Sequence, residues 1–140
     1  MDGEISGGSE TILFIDDEEL ILEVGQLMME KLGYTVLTAK NGRQALDVYR
    51  SEKESVHMVI LDMMLPDMKG RDVYERLKDI HAGVRVLLSS GYTIDGRAGE
   101  IMELGCDDFI QKPFDLKRLS LKIRHVLDGE KSEQSLQMAS

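Results

Sequence analysis

Short apolar runs alternate with amphipathic helical patterns along this chain, and that alternation constrains the fold more than any other feature. The runs are TILFI (11–15), YTVLTA (34–39), HMVIL (57–61), VRVLLS (84–89) and DDFIQ (107–111). Short continuous apolar runs are typical of strands buried on both faces. Strands that alternate with helices over short links form a parallel sheet with helices on both faces. Because crossovers are right-handed, we predict a doubly wound, five-stranded α/β sheet in the order 2-1-3-4-5.

The segments between the runs carry apolar residues at helical spacing. We expect the apolar faces to be Leu20, Val24, Leu27, Met28 and Leu32 in the first helix; Ala45, Leu46 and Tyr49 in the second; Val73, Leu77 and Ile80 in the third; and Leu116, Leu119, Ile123, Val126 and Leu127 in the fifth. Asn41 is a plausible N-cap of the second helix, and Asp67 of the third. The fourth helix (94–105) is diluted by Gly96 and Gly99.

Length and composition indicate one domain with two polar ends. The chain has 140 residues, enough for a single domain with a proper core, which we place at 10–128. Residues 1–9 are rich in Gly, Ser and acids, so we predict a flexible lead or linker. Residues 129–140 have no stable apolar face and are predicted to be a frayed polar tail.

The net charge and the cysteine content limit which partners the protein is expected to bind and which compartment it is expected to occupy. A net charge of -9 disfavours direct binding to nucleic acid or to an anionic membrane. Cys106 is the chain's one cysteine, so the fold does not depend on an oxidising compartment. No run approaches the roughly 18 apolar residues that suggest a membrane span. We therefore expect a cytoplasmic protein.

Polar side chains follow four of the five predicted strands. They are Asp16 and Asp17 after the first strand, Asp62 after the third, Ser89 and Ser90 at the end of the fourth, and Lys112 after the fifth. In doubly wound sheets, ligands bind beyond the carboxyl ends of the strands. Since the first and third strands are neighbours in the expected order, these side chains should converge on one edge of the sheet.

Such a cluster has a specific chemistry. Carboxylates packed together repel each other and need a cation, and oxygen ligands without His or Cys favour Mg²⁺ or another hard divalent ion such as Mn²⁺. Lys112 can pair with phosphoryl oxygens, a serine hydroxyl can donate to them, and Asp62 can attack phosphorus to form an aspartyl phosphate. In the alternative interpretation the acids cap helices and strands, and Lys112 is a surface residue.

Four motifs in this order and spacing carry a family resemblance. They are IDDEE (15–19), LDMMLPDMKG (61–70), LLSSGY (87–92) and FIQKPF (109–114). Over about residues 10–128 the chain resembles the receiver domains of two-component response regulators, including the chemotaxis-type regulator with its flavodoxin-like doubly wound fold. The resemblance implies a domain that accepts a phosphoryl group from the phosphohistidine of a sensor histidine kinase or a phosphotransfer protein.

The resemblance also implies roles for the acidic residues and for the loop after the third strand. Asp62 matches the phosphoacceptor, Asp17 the direct Mg²⁺ ligand, and Asp16 an acid that acts mostly through water. The backbone carbonyl of Met64 matches a further metal ligand. Family members often hold the peptide bond between Lys112 and the following proline in the cis form, which is uncommon elsewhere.

The same resemblance assigns the switch residues. Lys112 matches the family's lysine, and Ser90 the hydroxyl that senses the phosphoryl group. Ser90 is preferred over Ser89 because it leads directly into Gly91 and because strand alternation points its neighbour away. Phe109 occupies the aromatic switch position, with a plain core aromatic as the alternative.

Two bulky residues flank the expected path of the attacking water. By resemblance they are Met64 and Tyr92, and neither offers an acid or an amide to orient water. We therefore predict slow self-dephosphorylation. The fourth helix has a weak helical pattern, so it is the best candidate for the element that repacks on phosphorylation. We therefore expect output through the face of helix four, strand five and helix five.

Alternative functions are a small aspartyl-phosphate phosphatase, a flavin-binding domain and a degenerate receiver that serves as a protein-interaction module. The phosphatases usually carry a second acid two residues after the nucleophile, where this chain has Met64. A flavin site would need a Ser/Thr/Gly-rich loop where Asp16 and Asp17 lie. The Gly/Ser lead resembles receivers of hybrid histidine kinases, and a single-domain regulator is the alternative. The downstream partner is unknown.

Overall fold

The computed structural model describes residues 5–91 and 96–129, and for residues 96–98 it describes the backbone alone. Strands and helices alternate throughout. In chain order they are β1 (Thr11–Ile15), α1 (Glu19–Lys31), β2 (Thr35–Ala39), α2 (Gly42–Glu52), β3 (Met58–Asp62), α3 (Gly70–Ile80), β4 (Val86–Ser90), α4 (Gly96–Glu103), β5 (Asp108–Gln111) and α5 (Leu116–Leu127). No helix in these ranges is long and apolar enough to cross a membrane.

The five strands form one parallel sheet in the order β2-β1-β3-β4-β5. The predicted order and the doubly wound fold are therefore confirmed. In this order β1 and β3 are neighbours, and the chain reverses its direction of winding between them. That switch point is where the first two acidic strand ends meet.

The sheet separates two apolar clusters, because alternate strand residues point to opposite faces. On one face Leu13, Leu61 and Leu88 pack with α2, α3 and Ile101 of α4. On the other face Phe14 and Ile60 pack with α1 and α5. Helices thus cover both faces, and the strands are buried on both sides as their continuous apolar runs predicted.

Local sequence signals explain how two helices begin. The side chain of Asn41 accepts a hydrogen bond from the backbone N–H of Gln44 at 2.8 Å, so the predicted N-cap of α2 is confirmed. Asp115 caps α5 in the same way, by accepting from the N–H of Arg118 at 2.7 Å. Each cap satisfies one of the N–H groups that a helix leaves unpaired in its first turn.

The buried face of α1 differs from the prediction. Leu20, Val24 and Leu27 are exposed, at 69%, 43% and 67%, while Leu22 and Met29 are buried. Met28 and Leu32, which also belong to the predicted face, are partly buried and pack against the apolar cluster that contains Phe14.

Gly25 supplies the physical reason. A Cβ at this position would lie 2.3 Å from the ring of Phe14, so α1 packs against the sheet through the glycine. The set of residues 20, 24 and 27 and the set of residues 22, 25 and 29 share the helical period. Spacing alone therefore could not choose between them.

The other helices follow the predicted faces with small differences. Ile80, Leu116 and Leu127 are partly buried rather than central, and Tyr74 of α3 is buried without having been predicted. Strand bounds shift by one or two residues, and the shift that matters most puts Asp62 inside β3 as its last residue. The first two residues of the predicted fourth helix lie outside the described ranges.

Residues 6–9, called here the N-terminal strap, pack against the domain although their composition predicts a flexible lead. The carbonyl of Ser6 accepts a hydrogen bond from the hydroxyl of Ser120 on α5 at 2.6 Å. The N–H of Gly8 donates to the carbonyl of Leu32, just beyond α1, at 3.1 Å. A Cβ at Gly7 would overlap that carbonyl, so the close approach requires glycine.

The packing of α1 gives a matched pair of leucine substitutions. Leu22→Ala should lower the free energy of unfolding by about 2–4 kcal/mol because it empties a buried site. Leu27→Ala should change it by less than about 0.5 kcal/mol because the side chain is exposed. Urea unfolding of both variants measures the difference. Equal losses, or a larger loss for Leu27→Ala, would contradict this orientation of α1.

Candidate functional site

Three strands deliver charged side chains to the carboxyl edge of the sheet. Asp16 follows β1, Asp62 ends β3, and Lys112 follows β5. The backbone N–H of Lys112 donates to the carbonyl of Ser90 at 2.7 Å, which continues the pairing of β4 and β5 beyond the last residue of β5. The predicted convergence of these side chains is what the structure shows.

A buried ammonium group joins the two carboxylates. The Nζ atom of Lys112 lies 2.9 Å from Asp16 Oδ2 and 3.3 Å from Asp62 Oδ1. The Lys112 side chain is 10% exposed, and the Asp16 and Asp62 side chains are 0% and 4% exposed. This environment differs from that of a surface lysine, because little water can solvate any of the three charged groups.

The pKa values of this group follow from burial and from neighbouring charges. Burial is the main cause that raises the pKa of Asp62 to about 6, and the negative charge of Asp16 is the second. Together they outweigh the positive charge of Lys112, which lowers this pKa. Burial works against the charge of Lys112, but the hydrogen bond to Asp16 and the charges of both carboxylates raise its pKa above the ordinary value. Lys112 is therefore positively charged at neutral pH.

Three carboxylates in this region fit a divalent cation. Oxygen atoms of Asp16, Asp17 and Asp62 lie within 4.8 Å of one another. Asp17 is exposed, while Asp16 also accepts a hydrogen bond from the backbone N–H of Glu18 at 2.9 Å. All three donors are hard oxygen atoms, which suits Mg²⁺ with several waters retained.

The loop after β3 places Met64 at the mouth of the site. Its backbone N–H lies 3.5 Å from Asp62 Oδ1, and its side chain is 52% exposed. Asp17, Asp62, Met64 and Lys112 line one open depression. A predicted metal ligand and three charged residues therefore border the same opening.

Asp67 has a different role from the predicted one. Its carboxylate accepts hydrogen bonds from the backbone N–H groups of Gly42 at 2.7 Å and Arg43 at 3.0 Å. It therefore ties the β3–α3 loop to the start of α2, whereas α3 has Lys69 at its N-cap position. The sequence does not predict this tie, because nothing in the local pattern around Asp67 points 25 residues back along the chain.

The two serines of β4 point to opposite faces. Ser90 is 4% exposed and follows Ser89, which is fully buried. Phe109 on β5 is partly buried and packs against the cluster formed with α2, α3 and α4. The peptide bond between Lys112 and Pro113 is cis, as the resemblance suggested. Tyr92 lies outside the described residues.

The raised pKa of Asp62 predicts a pH dependence of stability in the metal-free protein. The folded-state pKa is about 6 and the ordinary value is 3.8, so the folded state holds an extra proton between these values. Stability from this group is present at low pH, falls as pH rises through that window, and stays lower above it. Asn cannot ionise, so Asp62→Asn should be more stable than wild type above the window, by about 1–3 kcal/mol.

Urea unfolding in the presence of a chelator measures this gap across pH. The gap should shrink below pH 3.8. Asp67→Asn is the control of opposite sign: burial works against its charge, but the N–H groups of Arg43 and Gly42 hold the pKa of Asp67 below its ordinary value. That variant should be less stable at neutral pH. A gap for Asp62→Asn that is constant across pH would contradict the account.

Comparisons with known proteins agree with this geometry. The family described as "Response regulator receiver domain" matches residues 12–124. The chain is 38% identical over 119 residues to the "Probable transcriptional regulator ycf27" of Porphyra purpurea, a match that covers 84% of this chain and 47% of the relative. It is 30% identical over 123 residues to the "Sensor kinase CckA" of Brucella abortus (strain 2308), where the match covers 88% of this chain and 13% of the relative.

Solved structures give the same result. A response regulator receiver domain protein from Clostridium thermocellum superposes with a TM-score of 0.81 at 30% identity, covering 87% of this chain and 97% of that one. The chain spans about half the length of the ycf27 regulator. The match over residues 12–124 covers most of the chain, including both acidic strand ends and Lys112. The chain belongs to the response regulator receiver domain family.

Proposed function

We propose that this domain is a phosphorylation switch that accepts a phosphoryl group onto Asp62 from the phosphohistidine of a sensor histidine kinase or a phosphotransfer protein. The observation that carries the proposal is the placement of Asp62, which is buried at the carboxyl edge of the sheet, with the Lys112 ammonium between its carboxylate and that of Asp16. In the reaction, an oxygen of Asp62 forms a bond to phosphorus, and the bond between phosphorus and the donor's imidazole nitrogen breaks.

The residues around Asp62 support the charge balance of this step. Asp16, Asp17 and Asp62 would hold Mg²⁺ or Mn²⁺, together with the backbone carbonyl of Met64. When bound, the cation offsets the negative charge of the phosphoryl oxygens and of the carboxylates. Lys112 supplies a second positive charge that is already in place, so catalysis consists of positioning and charge stabilisation.

The switch would run through Ser90 and Phe109. A new phosphoryl dianion beside Asp62 would attract the Ser90 hydroxyl and the Lys112 ammonium. Phe109 is supported in this role by its packing against the cluster that contains Ile101 of α4. A movement at the end of β4 could therefore pass to α4, so we propose the face of α4, β5 and α5 as the output surface.

The exposed apolar residues of α1 support a contact surface for the phosphodonor protein beside the site. Ile21 and Glu18, in and just before the first turn of α1, line the depression that leads to Asp62. Leu20, Val24 and Leu27 extend from there as an exposed stripe. A phosphodonor protein has to approach Asp62 through this mouth, so we infer that it contacts this stripe. We propose a cytoplasmic domain that makes no direct contact with nucleic acid or membrane, and its downstream partner is unknown.

The alternatives find less support. A small phosphatase would use an acid two residues after the nucleophile, and Met64 offers none. A degenerate receiver would be expected to lack part of the set formed by the acids and the lysine, whereas Asp16, Asp17, Asp62 and Lys112 lie together here. We therefore propose a signalling domain rather than an enzyme with an external substrate, one that promotes its own phosphorylation and slow dephosphorylation.

Labelling with a small phosphodonor tests the phosphoacceptor. In the presence of Mg²⁺, intact mass should show one added phosphoryl group on wild type and none on Asp62→Asn, because the amide is not a nucleophile. Asp47→Asn removes an exposed carboxylate of α2 and should label like wild type. Labelling should disappear when a chelator removes the cation. No added mass on wild type, or equal labelling of Asp62→Asn, would overturn the proposal.

The lifetime of the phosphoryl group tests the role proposed for Met64. After the donor is removed, we expect slow loss of the added mass because neither Met64 nor, by resemblance, Tyr92 orients a water. Met64→Glu should shorten the half-life severalfold by supplying an acceptor for a water proton. Met64→Leu keeps the bulk without a polar group and should leave the half-life unchanged. A wild-type half-life of seconds would contradict this prediction.

A further inference from the structure

The loop between β3 and α3 (residues 63–69) carries Met64, whose carbonyl is a proposed ligand of the divalent cation. The loop is closed at its base, where the Met63 carbonyl accepts a hydrogen bond from the N–H of Gly70 at 3.1 Å. A Cβ at Gly70 would lie 2.9 Å from that carbonyl oxygen, so this close approach requires glycine. One end of the loop is therefore fixed beside the acidic cluster.

The pairing inside the loop determines where the backbone groups of Met64 point. Met64 faces Lys69 in an antiparallel bridge, and the hydrogen bond joins the neighbouring residues 63 and 70. The N–H and the carbonyl of Met64 therefore point away from Lys69, because in an antiparallel pair both groups of a residue lie on the same side. The Met64 N–H lies 3.5 Å from Asp62 Oδ1, so its carbonyl is directed to the side on which Asp62 lies.

Asp67 fixes the other end of the loop to α2. Its two carboxylate oxygens accept hydrogen bonds from the N–H groups of Gly42 at 2.7 Å and Arg43 at 3.0 Å. The first turn of α2 has no acid of its own, so Asp67 supplies the negative charge that a helix N-terminus favours. Met68 packs so closely here that a Cβ at Gly42 would lie 2.7 Å from its Sδ atom. The two ends of the loop are thus held by different elements.

We infer that Asp67 is a positioning residue for the proposed cation site, which it supports by holding the loop that carries the Met64 carbonyl. Three residues separate Met64 from Asp67, so a loop fixed to α2 limits how far that carbonyl can swing away from Asp62. A ligand that is already held in place loses less freedom when the cation binds. The inference rests on the proposed binding of Mg²⁺ or Mn²⁺, and it extends the site to α2, an element outside the acidic cluster.

The first turn of α2 offers a matched pair of substitutions. Asp67→Ala removes the tie to the loop, whereas Asn41→Ala removes the local cap on the N–H of Gln44. Both should lower the thermal midpoint, because each leaves N–H groups at the helix start without an acceptor. Only Asp67→Ala should weaken the binding of Mn²⁺, by about 10-fold, the lower end of the range for residues that orient metal ligands.

Asp67→Asn separates the hydrogen bonds from the charge. The amide keeps one acceptor oxygen, so its dissociation constant for Mn²⁺ should lie between those of wild type and Asp67→Ala. Both substitutions remove the same negative charge, so equal weakening by the two would indicate a charge effect and contradict a positioning role. The loss of the EPR signal of free Mn²⁺ during a titration gives the dissociation constant of each protein.

Amide hydrogen exchange tests the same coupling in the wild-type protein, without any substitution. Coupling is reciprocal, so saturating Mg²⁺ should slow exchange of the Gly42 and Arg43 N–H groups by up to about 10-fold. The N–H of Gln44 is the internal control, because it lies in the same turn but donates to Asn41 at 2.8 Å. Its exchange, followed in the same NMR spectra, should change much less. Equal slowing of all three groups, or no slowing, would contradict the inference.

The outcomes distinguish this inference from the function on which it rests. Equal Mn²⁺ dissociation constants for wild type and Asp67→Ala would overturn the role of Asp67 alone, and so would equal weakening by Asn41→Ala and Asp67→Ala. In either case wild type should still label on Asp62. A wild-type protein that takes up no Mn²⁺ would overturn the proposed cation site, and this inference with it.

Discussion

The ammonium group of Lys112 between Asp16 and Asp62 is the interaction on which the carboxyl edge of the sheet depends. Two carboxylates with 0% and 4% exposed side chains repel each other, and one buried positive charge holds them together. Removing the ammonium from such a buried group typically costs about 3–5 kcal/mol, because both carboxylates lose their shared partner. The strand order makes the group possible, since β1 and β3 are neighbours and β5 reaches the same edge.

One ammonium does not balance three carboxylates. With Asp17 included, the local charge is negative, and this imbalance has two consequences. In the absence of a cation, burial and Asp16 raise the pKa of Asp62 to about 6, so the proposed phosphoacceptor binds a proton more readily than an ordinary aspartate does. A divalent cation would favour the ionised carboxylate, since a positive charge nearby lowers a carboxyl pKa. Binding of a cation and ionisation of Asp62 would in this way be coupled.

How much of the structure can be predicted from the sequence depends on whether the feature leaves a periodic pattern, a local motif or only a long-range contact. The strands, their order and the convergence of Asp16, Asp62 and Lys112 were predictable, because alternation and the rule for strand ends are strong. The buried face of α1 was not, since two stripes share the helical period and the close contact between Gly25 and Phe14 decides between them. Asp67 was misassigned because its partners lie on α2, outside any local motif. The buried Ser89 hydroxyl has no hydrogen-bond partner among the described residues, and this depends on packing that residue spacing does not reveal.

The N-terminal strap has a mechanical consequence. Ser6 is held to Ser120 of α5 and Gly8 to the end of α1, with glycines where a side chain would not fit. A displacement of the strap would therefore act on α5 as well as on the end of α1. A truncation at residue 10, the boundary that composition favours, would leave the Ser120 hydroxyl buried without its acceptor. The strap thereby ties residues 6–9 both to the end of α1 and to a helix of the proposed output face.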